Sequence, residues 1–180
     1  MHRDARLPAA GVKERAGVVR RLAASLYESV LLAALALVVG FALLPVLSGA
    51  PALPAAERAL PLLTPAAQAI SFGCLFAFLG AYCVWGWSGG RRTLPMKAWR
   101  LAMEATAGAP ISLYRAAVRY AAWWIGPALA IGAYVGLRPP GHGRWALALL
   151  AVNYAWALVN ADRQFLHDRV AGTRMVVARQ

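Results

Sequence analysis

The sequence predicts an all-α integral membrane protein, with four transmembrane helices and a small cytoplasmic cap of helix and short strand. Three observations lead there. Hydrophobic residues make up 61% of the 180, against roughly 45–50% in soluble domains, and mean hydropathy is +0.54. Four apolar runs, at about 22–47, 66–87, 120–137 and 145–161, are long enough to reach across a bilayer. The net charge is +12 although only 14% of residues are charged. Those cations cluster between the runs, which fits positive-inside topology and contact with anionic lipid at the cytoplasmic face.

Taken in order, residues 1–19 are polar and basic, with Pro8, Gly11 and Gly17, and are expected to be disordered. The domain proper is then 20–177. The first run, Leu22 to Leu47, holds one charge, Glu28. It exceeds the 7–15 apolar residues of a signal peptide, and such segments rarely carry Glu, so it is read as a retained span. Residues 48–65 hold four prolines and form a loop, with a short surface helix around Ala55–Leu60 as one option. The second run, Ala66 to Trp87, is uncharged and ends in Tyr82, Trp85 and Trp87, the composition of an interfacial aromatic belt.

Residues 88–119 are basic, with Arg91, Arg92, Lys97, Arg100, Arg115 and Arg119. Leu94, Ala98 and Leu101 share a helical face opposite Lys97 and Arg100, as in a short interfacial helix. Trp99–Met103 alternates and reads equally as a strand, able to pair with Thr173–Val177. Ala107–Pro110 is a turn, and Ser112 is placed to cap the helix that runs through Arg115 and Arg119. The third run, Tyr120 to Leu137, has Pro127 as a kink site. The loop Arg138–Arg144 leads to the fourth run, Trp145–Ala161, only 17 residues and containing Asn153 and Asn160.

An even number of spans puts both termini on one side. Sixteen of the 19 Lys and Arg then lie on the side of the termini and three lie opposite. Both termini are therefore expected in the cytoplasm, in a multi-pass protein of a bacterial inner membrane.

Charge near the spans marks the candidate site. Glu28 follows Arg21 by seven residues, on the same helical face. A carboxylate in a span costs roughly 2.5–3.5 kcal/mol at the centre, so it should find a cation: Arg119, Arg163 or Arg169. It either handles a proton or cation or fixes helix packing as a buried ion pair. Asp162 to Thr173 packs two acids, two arginines and His167 into a short segment. Asp162 reads as N-cap of a helix Arg163–Ala171, closed by Gly172. Asp168 is expected to meet arginines across the bundle or near Arg20 and Arg21. The candidate cluster is Arg21, Glu28, Arg119, Asp162 and Asp168, supported by Lys97, Arg163 and His167.

No catalytic residue is assigned. One His beside one Asp, with only His2 and His142 elsewhere, does not build a metal site. No nucleophile triad, phosphate loop or dinucleotide fingerprint occurs, so no cofactor and no enzymatic activity are expected. The aromatics beside the basic segments belong to the membrane interface, and no nucleic acid is expected as a partner. Cys74 and Cys83, nine apart on one helix, face opposite ways and read as free thiols. Gly86-x-x-x-Gly90 and Gly132-x-x-x-Gly136 match a common packing spacing.

Three stretches resemble the RDD family of bacterial membrane proteins. Arg20-Arg21 through Glu28 is similar to its arginine-rich entry to the first span, with Glu where the family usually has Asp. Arg92 to Leu101, followed by Pro110 to Arg119, is similar to its Thr-x-Gly-Lys segment and following helix, with Met96 in place of Gly. Asp162 to Thr173 resembles its closing Asp, His-Asp and Gly-Thr signature. The resemblance runs from about 20 to 177. It implies a membrane domain with charges near one face, and transport for some members. Two functions follow as expectations. One is transport or exchange of a small ion or solute through the cluster, aided by a homo-oligomer. The other is a non-enzymatic scaffold or accessory subunit in which the cluster only locks helices.

Overall fold

The computed structural model describes residues 14–48 and 64–178. Expectations for residues 1–13 and for the surface helix at 55–60 lie outside the described residues. The protein is mostly helical. Three helices are long and apolar enough to cross a membrane: Val18–Leu47, Pro65–Trp87 and Leu113–Leu137. The first two are α1 (Val18–Ser48) and α2 (Pro65–Trp87). Thr64 caps α2 by accepting from the Ala67 amide, and Pro65 opens it, where its missing N–H costs nothing.

Next come α3 (Leu94–Ala98) and strand β1 (Leu101–Ala105). The helix and strand readings of this segment thus both hold, in sequence, with the strand shifted two residues past Trp99. The two-residue turn between them needs a left-handed residue, and Arg100 adopts φ 50°. β1 pairs antiparallel with β2 (Thr173–Val177), Leu101 opposite Val177 and Ala105 opposite Thr173. The tail expectation is corrected for residues 14–19. Ala16 donates to the Met175 carbonyl at 3.1 Å, and Val177 donates to the Glu14 carbonyl at 2.9 Å. Residues 14–16 thus cover the free edge of β2, whose backbone groups would otherwise lack partners. α1 then starts at Val18.

The third apolar run begins earlier than Tyr120. Ser112 caps α4 (Leu113–Trp123) through the Arg115 amide, and α5 (Ile125–Leu137) continues it after a break at Trp124. Pro127 explains the break. It has no N–H for the carbonyl of Trp123, four residues earlier. Asn153 Nδ2 donates to that freed carbonyl at 2.8 Å. The one well-placed polar residue of the fourth run is therefore the partner of a proline-freed carbonyl.

The fourth run forms a 3-10 helix (Gly143–Ala151) followed by α6 (Val152–Val159). It folds back on α5, and Gly126 makes this possible: a Cβ there would stand 3.1 Å from the Leu150 carbonyl oxygen. Gly86 likewise admits Thr93, whereas a Cβ at Gly132 or Gly136 would meet nothing within 4 Å. α7 (Leu166–Val170) and β2 complete the chain. A buried core of Trp87, Met96, Leu101, Met103, Ile111 and Met175 joins the sheet and α3 to the ends of α1, α2 and α4.

We expect Asn153→Leu to lower stability by about 1 kcal/mol in detergent unfolding. In a Pro127→Ala background the Trp123 carbonyl regains a helical donor, and the same substitution is expected to cost less than half as much. Equal costs in both backgrounds would refute the pairing.

Candidate functional site

Three elements deliver charge to one buried spot where the sheet meets the helices, and a fourth adds an aromatic ring. α1 supplies Arg21 and Glu28, α4 supplies Arg119, and α7 supplies His167 and Asp168; all five are buried. α2 adds Trp87 at its last residue. This correction matters: Trp87 is 1% exposed and belongs to the site, while Trp85 is 64% exposed.

Arg119 is the hub. Its Nε donates to Asp168 Oδ1 at 2.8 Å, with side chains 4% and 1% exposed. Its guanidinium carbon lies 4.3 Å from the centre of the Trp87 ring, a desolvated cation–π contact of about 2 kcal/mol. The Trp87 indole N–H donates to Glu28 Oε1 at 3.2 Å. Thr173, at the start of β2, donates to Asp168 as well, with 3.3 Å to its carbonyl and 3.4 Å to Oδ1. Arg21 donates to the carbonyl of Arg163 and stacks 4.7 Å from the Phe165 ring centre.

The two acids differ. Asp168 is directly paired. Glu28 has no cation within 4 Å among the described residues, and its carboxylate rests on the Trp87 indole, with Arg119 beyond and Thr93 beside it. Burial would raise the Asp168 carboxyl, yet the charge of Arg119 holds it below its ordinary value. Burial pushes His167 down from 6.5 to about 3, so it is neutral at pH 7. Its ring packs against Tyr154 and Phe165, and its Nε2 stands 3.9 Å from Asp168 Oδ1.

Of the sequence candidates, Arg21, Glu28, Arg119, Asp168 and His167 converge. Asp162 does not. It sits in an exposed turn, 2.7 Å from Arg15, whose hydrogen bond and charge lower its carboxyl. Nor does it cap a helix. α7 begins only at Leu166, after Phe165, because Arg163 takes φ 48° and breaks the chain away from a continuous helix. Gly172, at φ 61°, does close α7 as expected. Arg163 contributes its carbonyl rather than its charge, and Lys97 is exposed on α3. Trp87 and Thr173 were missed; both are neutral and carry no charge signal in sequence. No group of three or more His, Cys, Asp or Glu could hold a metal among the described residues.

The RDD family model matches residues 15–172. No curated protein and no solved structure matches the chain.

His167 makes stability pH-dependent. Its folded value, about 3, lies below its ordinary 6.5, so the unfolded chain takes up the proton first. Stability is full above 6.5 and falls as pH drops from 6.5 toward 3, by up to about 1.4 kcal/mol per unit. His167→Gln is expected to flatten the fall of melting temperature between pH 6.5 and 4.5. An unchanged slope would contradict a buried neutral histidine.

Proposed function

The chain belongs to the RDD family of membrane proteins, and from that premise we propose that it exchanges a small cation or proton across a bacterial inner membrane, with Glu28 as the exchanging carboxylate. The observation that carries this is the buried position of Glu28 without a directly paired cation. Six residues beyond Leu22, it stands about 9 Å along α1 from the start of the apolar run. A carboxylate there is costly when ionised and lacks the direct cation that would offset the cost, so it favours taking up a proton or a metal cation. Asp168, locked to Arg119, stays ionised and keeps the cap closed.

In this reading Gly143–Val159 is a fourth span. A 3-10 helix rises about 2.0 Å per residue against 1.5 Å in an α-helix. Nine residues of the former and eight of the latter reach about 30 Å, the thickness of the hydrocarbon core. The sheet and α7 then form a cytoplasmic cap, both termini are cytoplasmic, and a homo-oligomer frames the pathway. The side of the cap holds 16 of the 19 Lys and Arg, which supports this orientation.

A specific observation favours the scaffold reading. Starting one residue past Glu28 on α1, which does not itself line it, a cavity of about 370 Å³ opens between Ser29, Leu32, Trp124 and Asn153. Its walls are mostly apolar, Ser29 bonds back to the Ser25 carbonyl, and Asn153 gives its Nδ2 to the Trp123 carbonyl, leaving only its Oδ1 unpartnered. An ion path needs more polar lining than this.

Flux in proteoliposomes decides between them. The exchange reading expects Na⁺- or K⁺-coupled proton movement by the wild type and its loss in Glu28→Gln. Absence of flux from folded wild type would leave the scaffold reading standing, and equal flux from both would remove Glu28 from the mechanism. A His142→Cys variant is expected to react with an impermeant thiol reagent from the periplasmic side only; cytoplasmic labelling would overturn the four-span topology.

A further inference from the structure

Where α1 leaves the sheet, a cavity of about 240 Å³ lies between the start of α1, the turn after α6 and β2. Arg15, Arg21, Arg163 and Arg174 line it, against a single acid, Asp162, which is already held by Arg15. Two of these arginines each keep a buried Nε without a hydrogen-bond partner. Arg21 is 95% removed from solvent, and its Nε has no hydrogen-bond partner; nor does the buried Nε of Arg174, whose Nη2 is 3.7 Å from Glu104. Gly17 and Val18 open α1 at the same wall, and no acidic residue sits in the first turn to meet its free amides. Four arginines and the start of a helix around one cavity match the chemistry of a phosphate or other oxyanion.

The cavity does not stand alone. Immediately beyond it along α1, an apolar groove of about 450 Å³ runs past Val19, Leu22, Ala23 and Leu26 to Tyr154 of α6. Val18 and Arg21 wall the basic cavity, and Val19 and Leu22 begin the groove. We propose that the pair is a binding site for an anionic phospholipid of the leaflet on the side of the sheet. The phosphate sits among the arginines and one acyl chain lies along the groove. A free phosphate would use the first half of the site and not the second. The lipid ties the turn at 161–164 to α1, the same turn whose Arg163 carbonyl receives Arg21. This stands independently of ion exchange.

The test uses the full chain in phosphatidylcholine nanodiscs, titrated with short-chain phosphatidylglycerol, short-chain phosphatidylcholine or inorganic phosphate, and read by thermal unfolding and native mass spectrometry. Phosphatidylglycerol is expected to bind about tenfold more tightly than phosphatidylcholine, and Arg163→Gln, an exposed position, to remove most of that preference. Ala23→Phe fills the groove and is expected to weaken phosphatidylglycerol while leaving inorganic phosphate unchanged. Leu26→Trp repeats this test on the exposed side of the groove should Ala23→Phe fail to fold by circular dichroism. Equal binding of the two lipids would overturn the site. Full protection by inorganic phosphate, with no effect of either groove variant, would overturn the lipid as its occupant.

Discussion

The ion pair between Arg119 and Asp168 is the contact on which the rest of the structure depends. Both side chains are almost wholly removed from solvent, and they join α4 to α7 across 49 residues of chain. Taking two charges out of water costs several kcal/mol per ion, recovered only with good geometry and further hydrogen bonds. Those bonds are present: Thr173 donates to Asp168, and Trp87 stacks on the guanidinium. With Arg21 and Glu28, when Glu28 is ionised, the buried group holds two cations and two anions, so its net charge in that state is zero. That balance lets such a group stay buried at the end of three apolar helices. It also places the sheet, since β2 begins at Thr173 and its partner β1 follows from α3, which packs on α1.

Within this balanced group the distribution is uneven, and the unevenness is where function enters. Asp168 takes the direct contact with Arg119 and Glu28 takes an indole N–H. One acid therefore makes the direct ion pair, while the other rests on a neutral donor, which is what the exchange proposal builds on. Arg21 is similarly divided. One terminal nitrogen serves the Arg163 carbonyl, its Nε has no partner, and the residue lines the basic cavity. The structural clasp and the two proposed binding sites thus draw on the same side chains, and a ligand at either site acts on the clasp's neighbours.

Much of this was legible in the sequence because membrane physics writes itself into composition. Apolar runs gave the helices, Ser112 gave a cap, and alternation at Trp99–Met103 and Thr173–Val177 pointed to the pairing of β1 with β2. The arginine-rich entry and the closing signature carried the family. What was not legible follows from three-dimensional choices among similar residues. Asp162 and Asp168 lie six apart in the same charged stretch, and only the left-handed turn at Arg163 sends one to the surface and the other inward. Trp85 and Trp87 look alike at the end of an apolar run, yet two residues apart on a helix they face different ways, so one is exposed and the other meets Glu28. Residues 14–16 read as tail because their partners, in β2, lie more than 150 residues away.

The most direct measurement of the central claim is a double-mutant cycle on Arg119→Met and Asp168→Ala, using unfolding free energies in detergent micelles. Each single change leaves a buried charge unpaired and is expected to cost about 3–5 kcal/mol. The double variant should cost well under their sum, giving a coupling of about 2 kcal/mol or more. Costs that add within about 0.5 kcal/mol would mean that the pair does not hold the cap to the helices.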